Sequence, residues 1–405
     1  MVFVPIYLLV LIVMTNRYLA GLFFRGLRGR AFDATSDHEV RSVAVVIPMF
    51  NEGQGIYRTV LSLLEQDYPA EQLTVTVVDD CSTDDSRDWA ERAARANPGR
   101  VRVLVNPHNM GKRRGIARAV RQTEAEIIVS VDSDVVVDRG AVRELVRRFV
   151  SDDIAAVGGR VNVSNPNDNW LTRMQTIKYH FGFVYLKSLE RSFRTVMCLS
   201  GCLTAYRRSV LIELEPILEG RSVLGVPIKY GEDRFLTRQI VKAGYRTLCT
   251  MEAKCWTVAP NTLSKYFSQQ LRWRRSNFID YMMGCTHVWR LHPCVALHYY
   301  TLFAIQLVYP IAIFEALVLA RFWTLALSHL LLLVVLGALY AIEVRRLPEE
   351  EKVHPLWFLG MGIVMPVTYV VQNVLSFWTL DSGSWETRSH GATELQNLQP
   401  EQPRS

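Results

Sequence analysis

The chain lacks the cysteine spacing that a zinc site or a disulfide framework needs. Its seven cysteines, at 81, 198, 202, 249, 255, 285 and 294, form no C-x-x-C pair, and they read as free thiols in a reducing cytosol. No Walker spacing of glycines ahead of a Lys-Ser/Thr pair occurs, so an ATP-binding P-loop is not implied. Charge is not lopsided. The 46 Lys and Arg outnumber the 39 Asp and Glu for a formal net charge of +7, which suits a domain that rests on anionic lipid and handles phosphate-bearing substrates and makes no case for a nucleic-acid partner. With 49% hydrophobic and 21% charged residues and a mean hydropathy of +0.09, the chain is also not greasy enough for a pure transporter. One large soluble domain plus a few membrane spans fits better.

Long apolar runs lie only near the two ends. Val2 to Met14 is uncharged, Thr15-Asn16-Arg17 interrupts it, and Tyr18 to Phe24 is apolar again, a total close to the roughly 20 residues that cross a bilayer. A cleaved signal peptide is the competing reading, but a basic start and a small-x-small cleavage site are both missing. Residues 1–24 therefore read as a transmembrane anchor, and Arg25, Arg28, Arg30 and Arg41 place residue 30 onward on the cytoplasmic side. Near the other end, Ala296 to Ala320 and Phe322 to Ile342 are long enough to span, giving two transmembrane helices over 296–342. The stretch 356–380 contains Gly360, Gly362 and Pro366 and reads as an interfacial or re-entrant helix rather than a straight span. Glu315, costly against lipid, is expected to face the bundle or a polymer conduit. The polar residues 391–405 read as a disordered tail.

Between these ends, residues 42–257 alternate β-branched runs with amphipathic helical stretches, the pattern of βαβ units around a parallel sheet. Val43 to Pro48, Leu73 to Val78, Val101 to Val105 and Ile127 to Val131 read as strands. Helices are expected over Ile56 to Glu65, Ser86 to Ala96, Lys112 to Gln122 and Ala141 to Val150 from their apolar spacing. Each strand runs into polar residues, and in open α/β sheets the carboxyl ends of strands line the ligand crevice.

The polar tips have distinct chemistry. Pro48, Asn51 and Glu52, with Asp79-Asp80, offer carboxylates to a uracil or ribose, although Asp80 as a helix cap is an equal reading. Asn109 to Gly115 combines two glycines with Lys112, Arg113 and Arg114 at a helix start suited to phosphate; a solvated basic face is the alternative. Asp132-Ser133-Asp134 ends the most apolar strand, so one carboxylate can face the nucleotide while the other holds Mg2+ or Mn2+. Glu232-Asp233 follows Gly231 where a loop enters a helix. It is either an acidic N-cap or the carboxylate that takes a proton from an attacking hydroxyl. Downstream, the helical run Tyr266 to Ile279 packs Gln269, Gln270, Arg272, Trp273, Arg274 and Arg275 around one indole. Trp273 there can anchor at the interface, or it can stack on a sugar beside an Arg that reaches a diphosphate.

Carboxylates for a metal and for a base, ahead of an aromatic clamp and membrane helices, are the parts needed to move a sugar from an activated nucleotide. With metal and cations stabilising the departing diphosphate, one base suffices and the transfer inverts the anomeric centre. The chain resembles the processive family 2 glycosyltransferases of the hyaluronan synthase and chitooligosaccharide synthase group. Besides the clusters above, the likeness runs through Gly158-Gly159-Arg160-Val161, Asn165-Pro166-x-Asp168-x-Trp170, Ser200-Gly201-Cys202-Leu203 with Tyr206-Arg207, and Ser384-Trp385-Glu386-Thr387-Arg388.

The resemblance implies a GT-A type, Rossmann-like α/β cytosolic domain with α-helical transmembrane segments, and a multi-pass enzyme of the plasma membrane. It implies Asp134 as metal ligand and Asp233 as base. Donor contacts fall on Pro48, Asn51, Glu52, Asp80, Lys112, Asp132, Arg272, Trp385 and Arg388; acceptor contacts fall on Ser200, Gly201, Glu232, Gln269 and Trp273. Residues 258–292 would carry the acceptor site on interfacial helices, with Trp273 at the mouth of a channel, and 381–390 would be a gating loop. The implied partners are a UDP-sugar donor, a growing glycan acceptor and the bilayer. A hyaluronan-like polymer from UDP-GlcNAc, with or without UDP-GlcA, is the leading reading. The alternative is chitin-oligosaccharide synthesis from UDP-GlcNAc alone, toward which Glu232 and Asn169-Trp170-Leu171-Thr172-Arg173 lean. Transfer of a single sugar to a lipid phosphate would not need the Gln269, Arg272, Trp273 clamp. A dead sensor would have lost one of Asp132, Asp134 and Asp233, and an export channel would have no use for a donor site.

Overall fold

A computed structural model describes residues 40–219, 222–223, 226–228 and 230–380, together with positions 9, 12, 13 and 16. Two compact units divide the described chain: an α/β unit from residues up to 165 and from 194–258, and a helical unit from 166–193 and 259–380 with the four N-terminal positions.

The α/β unit is built on one eight-stranded sheet. Its strands are β1 (Val43–Met49), β2 (Leu73–Asp79), β3 (Val101–Val105), β4 (Ile127–Val131), β5 (Val135–Val137), β6 (Ile154–Val163), β7 (Leu203–Arg207) and β8 (Arg246–Thr257). Their order across the sheet is β3-β2-β1-β4-β7-β6-β8-β5. Strands β3, β2, β1 and β4 are mutually parallel. β7 runs antiparallel between β4 and β6. The near-continuous burial of β1, β2 and β4 explains why they are dominated by β-branched and apolar residues: helices cover both faces of a parallel sheet. The chain works outward from β1 to β3, then returns to the other side of β1 with β4. The switch point of this Rossmann-like half therefore lies between the carboxyl ends of β1 and β4.

The four expected strands and their helices appear within a residue or so of the expected limits, with one exception. The helix expected to reach Val150 stops at Val146. There the N–H groups of Arg148 and Phe149 turn to the carbonyls three residues back, Leu145 and Val146, and the tightened turn buries Phe149 while leaving Val150 exposed.

In the helical unit, Trp170–Tyr179 begins with a capping box: Asn169 Oδ1 accepts the N–H groups of Leu171 and Thr172, and Thr172 Oγ1 accepts that of Asn169. The helix expected over Tyr266 to Ile279 is longer, Leu263–Gly284, because the Thr262 hydroxyl caps it by accepting from the Lys265 N–H. Two helices, Pro293–Val318 and Phe322–Val344, are long and apolar enough to cross a membrane. Glu315, on the first, is half-buried, and one of its carboxylate oxygens is fully enclosed. The following stretch is bent by 49° between Pro355–Met365 and Val367–Trp378, as a broken span or a re-entrant loop would be. The break falls at Pro366, which has no N–H for the helix ladder. Most of the expected 1–24 anchor, and all of the 381–390 loop and the 391–405 tail, lie outside the described residues.

Candidate active site

Two loops meet at the carboxyl end of β1. Asn51 adopts a left-handed φ of +53°; its N–H donates to Ser82 Oγ and its Oδ1 accepts from the Thr83 N–H. The next two N–H groups, of Glu52 and Gly53, both donate to Ser86 Oγ. The Glu52 carboxylate then accepts from the Ser133 hydroxyl at 3.0 Å, so the β1 and β4 tips are tied directly. Pro48 is buried within β1.

Asp80 has surroundings different from those its sequence position suggests. It is buried, and both its oxygens are engaged within the chain: Oδ1 accepts from Asn106 Nδ2 and the Met110 N–H, and Oδ2 from the Gly111 N–H, each at 2.8 Å. Capping of the helix that follows it does not describe this role. Asp80 shapes the loop that delivers Lys112.

Lys112 opens the helix Lys112–Arg121 and reaches two carboxylates. Its Nζ lies 2.5 Å from Asp132 Oδ1 and 3.0 Å from Glu232 Oε1. Burial works against its charge, but Asp132 and Glu232 outweigh that penalty and hold the ammonium protonated well above the ordinary lysine range. Glu232 comes from the first turn of the helix Glu232–Lys242, entered through Gly231 at φ +67°, a left-handed conformation that costs glycine little. The Ser200-Gly201-Cys202 loop joins this group because β7 pairs antiparallel with β4, Leu203 opposite Val131. A β-carbon on Gly201 would stand 3.4 Å from the Asp132 carboxylate.

Asp233 follows Glu232 on the same helical turn. Burial and then the charge of Glu232 raise its pKa above the usual aspartate value, with Arg234 and Lys112 pulling the other way. Its Oδ1 accepts from the Arg234 N–H at 2.8 Å, and Thr237 Oγ1 donates to its carbonyl. Asp134 diverges from Asp132 and accepts from the Thr257 hydroxyl at 3.3 Å. No group of three or more His, Cys, Asp and Glu able to hold a metal gathers among the described residues. A cation bound by Asp134 would therefore complete its shell with substrate oxygens, as magnesium commonly does.

Lys112, Asp132, Gly201 and Glu232 are thus brought together, with Asp233 adjoining; Glu52 is tied to the β4 end through Ser133, and Asp134, three residues past Val131, is tied to the end of β8 through Thr257. Gln269, Arg272 and Trp273 belong to the helix Leu263–Gly284 of the helical unit. Gln269 is buried, with its Oε1 accepting from Gln270 Nε2 at 3.4 Å, and the Trp273 ring lies 6.2 Å from that of Tyr179. Trp385 and Arg388 lie outside the described residues. Sequence reasoning passed over Ser133, Thr257 and Lys178. Thr257 had the signal of a polar residue at a strand end. Lys178 stands four residues after Met174 and seven after Leu171, a cation on the apolar stripe of its helix.

A mostly parallel sheet with carboxylates at its switch point is the arrangement expected of the GT-A class of nucleotide-sugar transferase domains. The description "Glycosyltransferase like family 2" matches residues 40–276, and the chain belongs to that family. This bears out the expected fold and the expected class, a hexosyltransferase. Among its relatives are an N-acetylglucosaminyltransferase of Rhizobium meliloti, 34% identical over 71% of this chain and 68% of the relative, and one of Rhizobium leguminosarum bv. viciae, 37% identical over 60% and 58%. The chain thus spans about two thirds or less of these relatives' length. The solved mannosyltransferase of Pyrobaculum calidifontis, in complex with GDP-Man and Mn2+, superposes with a TM-score of 0.59 at 18% identity over 92% of this chain and 97% of that one. That likeness speaks to the fold.

Proposed function

We propose that the chain is an inverting, membrane-embedded transferase that adds GlcNAc from UDP-GlcNAc to a growing chitin-type oligosaccharide. The observation that carries this reading is the convergence of Lys112, Asp132 and Glu232 beside the half-buried Asp233. Relatives named for N-acetylglucosaminyl transfer support UDP-GlcNAc as sole donor, and the hyaluronan-type product that led the sequence reading gives way to its alternative.

In this reading Asp233 takes the proton from the acceptor hydroxyl as it attacks the anomeric carbon. Its raised pKa makes it a stronger base than a solvated aspartate, and the Arg234 N–H that donates to Oδ1 orients the carboxylate. Lys112 sits where negative charge gathers on the departing UDP, and Asp132 and Glu232 hold its ammonium in place. Asp134 offers the hard oxygen that Mg2+ or Mn2+ prefers, and such a cation, when bound, would neutralise the diphosphate. Glu52 and Asn51 line the donor side, Ser200 and Gly201 the acceptor side. Gln269 and Trp273 engage the acceptor glycan, Arg272 assists the donor, and the apolar helices provide its passage through the bilayer.

Radiolabelled UDP-GlcNAc supplied to purified membranes, with and without UDP-GlcA, tests the reading. Product digested by chitinase and unchanged by UDP-GlcA is expected. Product that requires UDP-GlcA and yields to hyaluronidase would restore the hyaluronan reading.

A further inference from the structure

Lys178 is the last-turn lysine of Trp170–Tyr179, with a half-buried side chain. Its Nζ donates to Gln270 Oε1 at 2.5 Å and to the Tyr266 hydroxyl at 3.1 Å, and it stands 6.0 Å above the Trp273 ring. No carboxylate pairs with it among the described residues. Burial, with a smaller push from the Arg274 guanidinium, lowers its pKa to about 7.

Its contacts form a chain with a fixed sense. With the Lys178 Nζ donating, Gln270 turns its carbonyl oxygen toward it. That leaves Gln270 Nε2 to donate to Gln269 Oε1 at 3.4 Å, which in turn leaves the Gln269 NH2 group at the far end of the chain of bonds. Gln269 Nε2 is buried and has no hydrogen-bond partner among the described residues. An enclosed donor in that condition is unfavourable until a ligand acceptor meets it. Gln269 and Trp273 are four residues apart on one helix and share a face.

We propose that Lys178 is a positioning residue for the acceptor: through Gln270 it fixes the amide of Gln269 so that its NH2 group meets the acetamido carbonyl oxygen of an N-acetylated sugar. This rests on the assignment of Gln269 and Trp273 to acceptor binding. A sugar hydroxyl both donates and accepts and would tolerate a flipped amide. A carbonyl only accepts, so it alone requires the orientation that Lys178 imposes.

The test is transfer from UDP-GlcNAc by the full-length protein to N,N′-diacetylchitobiose and to its de-N-acetylated counterpart. Lys178→Met should raise KM for the acetylated acceptor about tenfold, the size of one lost hydrogen bond, with donor KM and the KM for the deacetylated acceptor within twofold of the parent. Gln270→Glu keeps the lysine partnered but removes the donor to Gln269, and should reproduce that selective loss should Lys178→Met fail to fold. Adding Lys178→Met to Gln269→Ala should raise KM no further. Additive effects in the double variant, equal losses for both acceptors, or no change would each overturn the proposal. A parent protein that transfers to neither acceptor would instead remove the acceptor reading beneath it.

Discussion

The backbone at Gly201 approaches the Lys112 ammonium so closely that a β-carbon there would stand 2.8 Å from it. The end of a lysine ordinarily yields to such a contact, but this one is held by Asp132 and Glu232 together. Gly201→Ala should therefore displace the cation from at least one carboxylate. We expect kcat/KM for UDP-GlcNAc to fall at least about tenfold, the size of one lost charge-assisted hydrogen bond, with little change in Tm. Steady-state kinetics beside a thermal melt checks this.

Glu232 directly precedes Asp233 and is, after burial, the main cause of its raised pKa. Glu232→Gln removes that repulsion and leaves Lys112 with one partner fewer, so both changes favour ionised Asp233. The acid limb of the kcat/KM profile should move to lower pH. A limb that stays put or moves up would show that another group governs it.

Chelation should separate binding from fold. If Asp134 supplies a hard ligand to Mg2+ or Mn2+, EDTA should abolish transfer and restored cation should recover it, and Asp134→Ala should lose activity at every cation concentration. The melting temperature of the parent should change little under EDTA, because the sheet carries the fold without the ion.

Asn169 joins the capping box to the segment before the next helix: besides its two capping bonds, its Nδ2 donates to the Asn261 carbonyl at 2.7 Å. Asn169→Ala should lower stability by about 1–2 kcal/mol, toward the upper end for a lost cap, measured as a shift in denaturation midpoint.

The α/β unit was readable because its strands announce themselves. Val43–Met49 is an unbroken apolar run and Ile127–Val131 is interrupted only by Ser130, each followed by polar residues, and chain order alone places those ends near the switch point. Pairing beyond β4 was not readable, since nothing local in Leu203–Arg207 says that it runs antiparallel beside β4. That pairing is what carries Gly201 to Asp132. Asp80 was ambiguous for a related reason: a carboxylate after a strand can face ligand, a helix N-terminus or a neighbouring loop, and only the fold of Asn106 to Gly111 decides. In the helical unit, Pro366 signalled a bend, whereas Lys178 was hidden because its partners Tyr266 and Gln270 lie 88 and 92 positions away in sequence.

The central claim is that Asp233 is the base in a pocket whose donor contacts come from other residues. Asp233→Asn leaves an amide oxygen to accept from the Arg234 N–H and so keeps the local fold. UDP-GlcNAc turnover and UDP binding measured on that one variant test the claim directly. Transfer reduced by about a thousandfold, within the range that general-base catalysis supplies, with UDP affinity nearly unchanged, is the predicted result. Transfer within tenfold of the parent would contradict it.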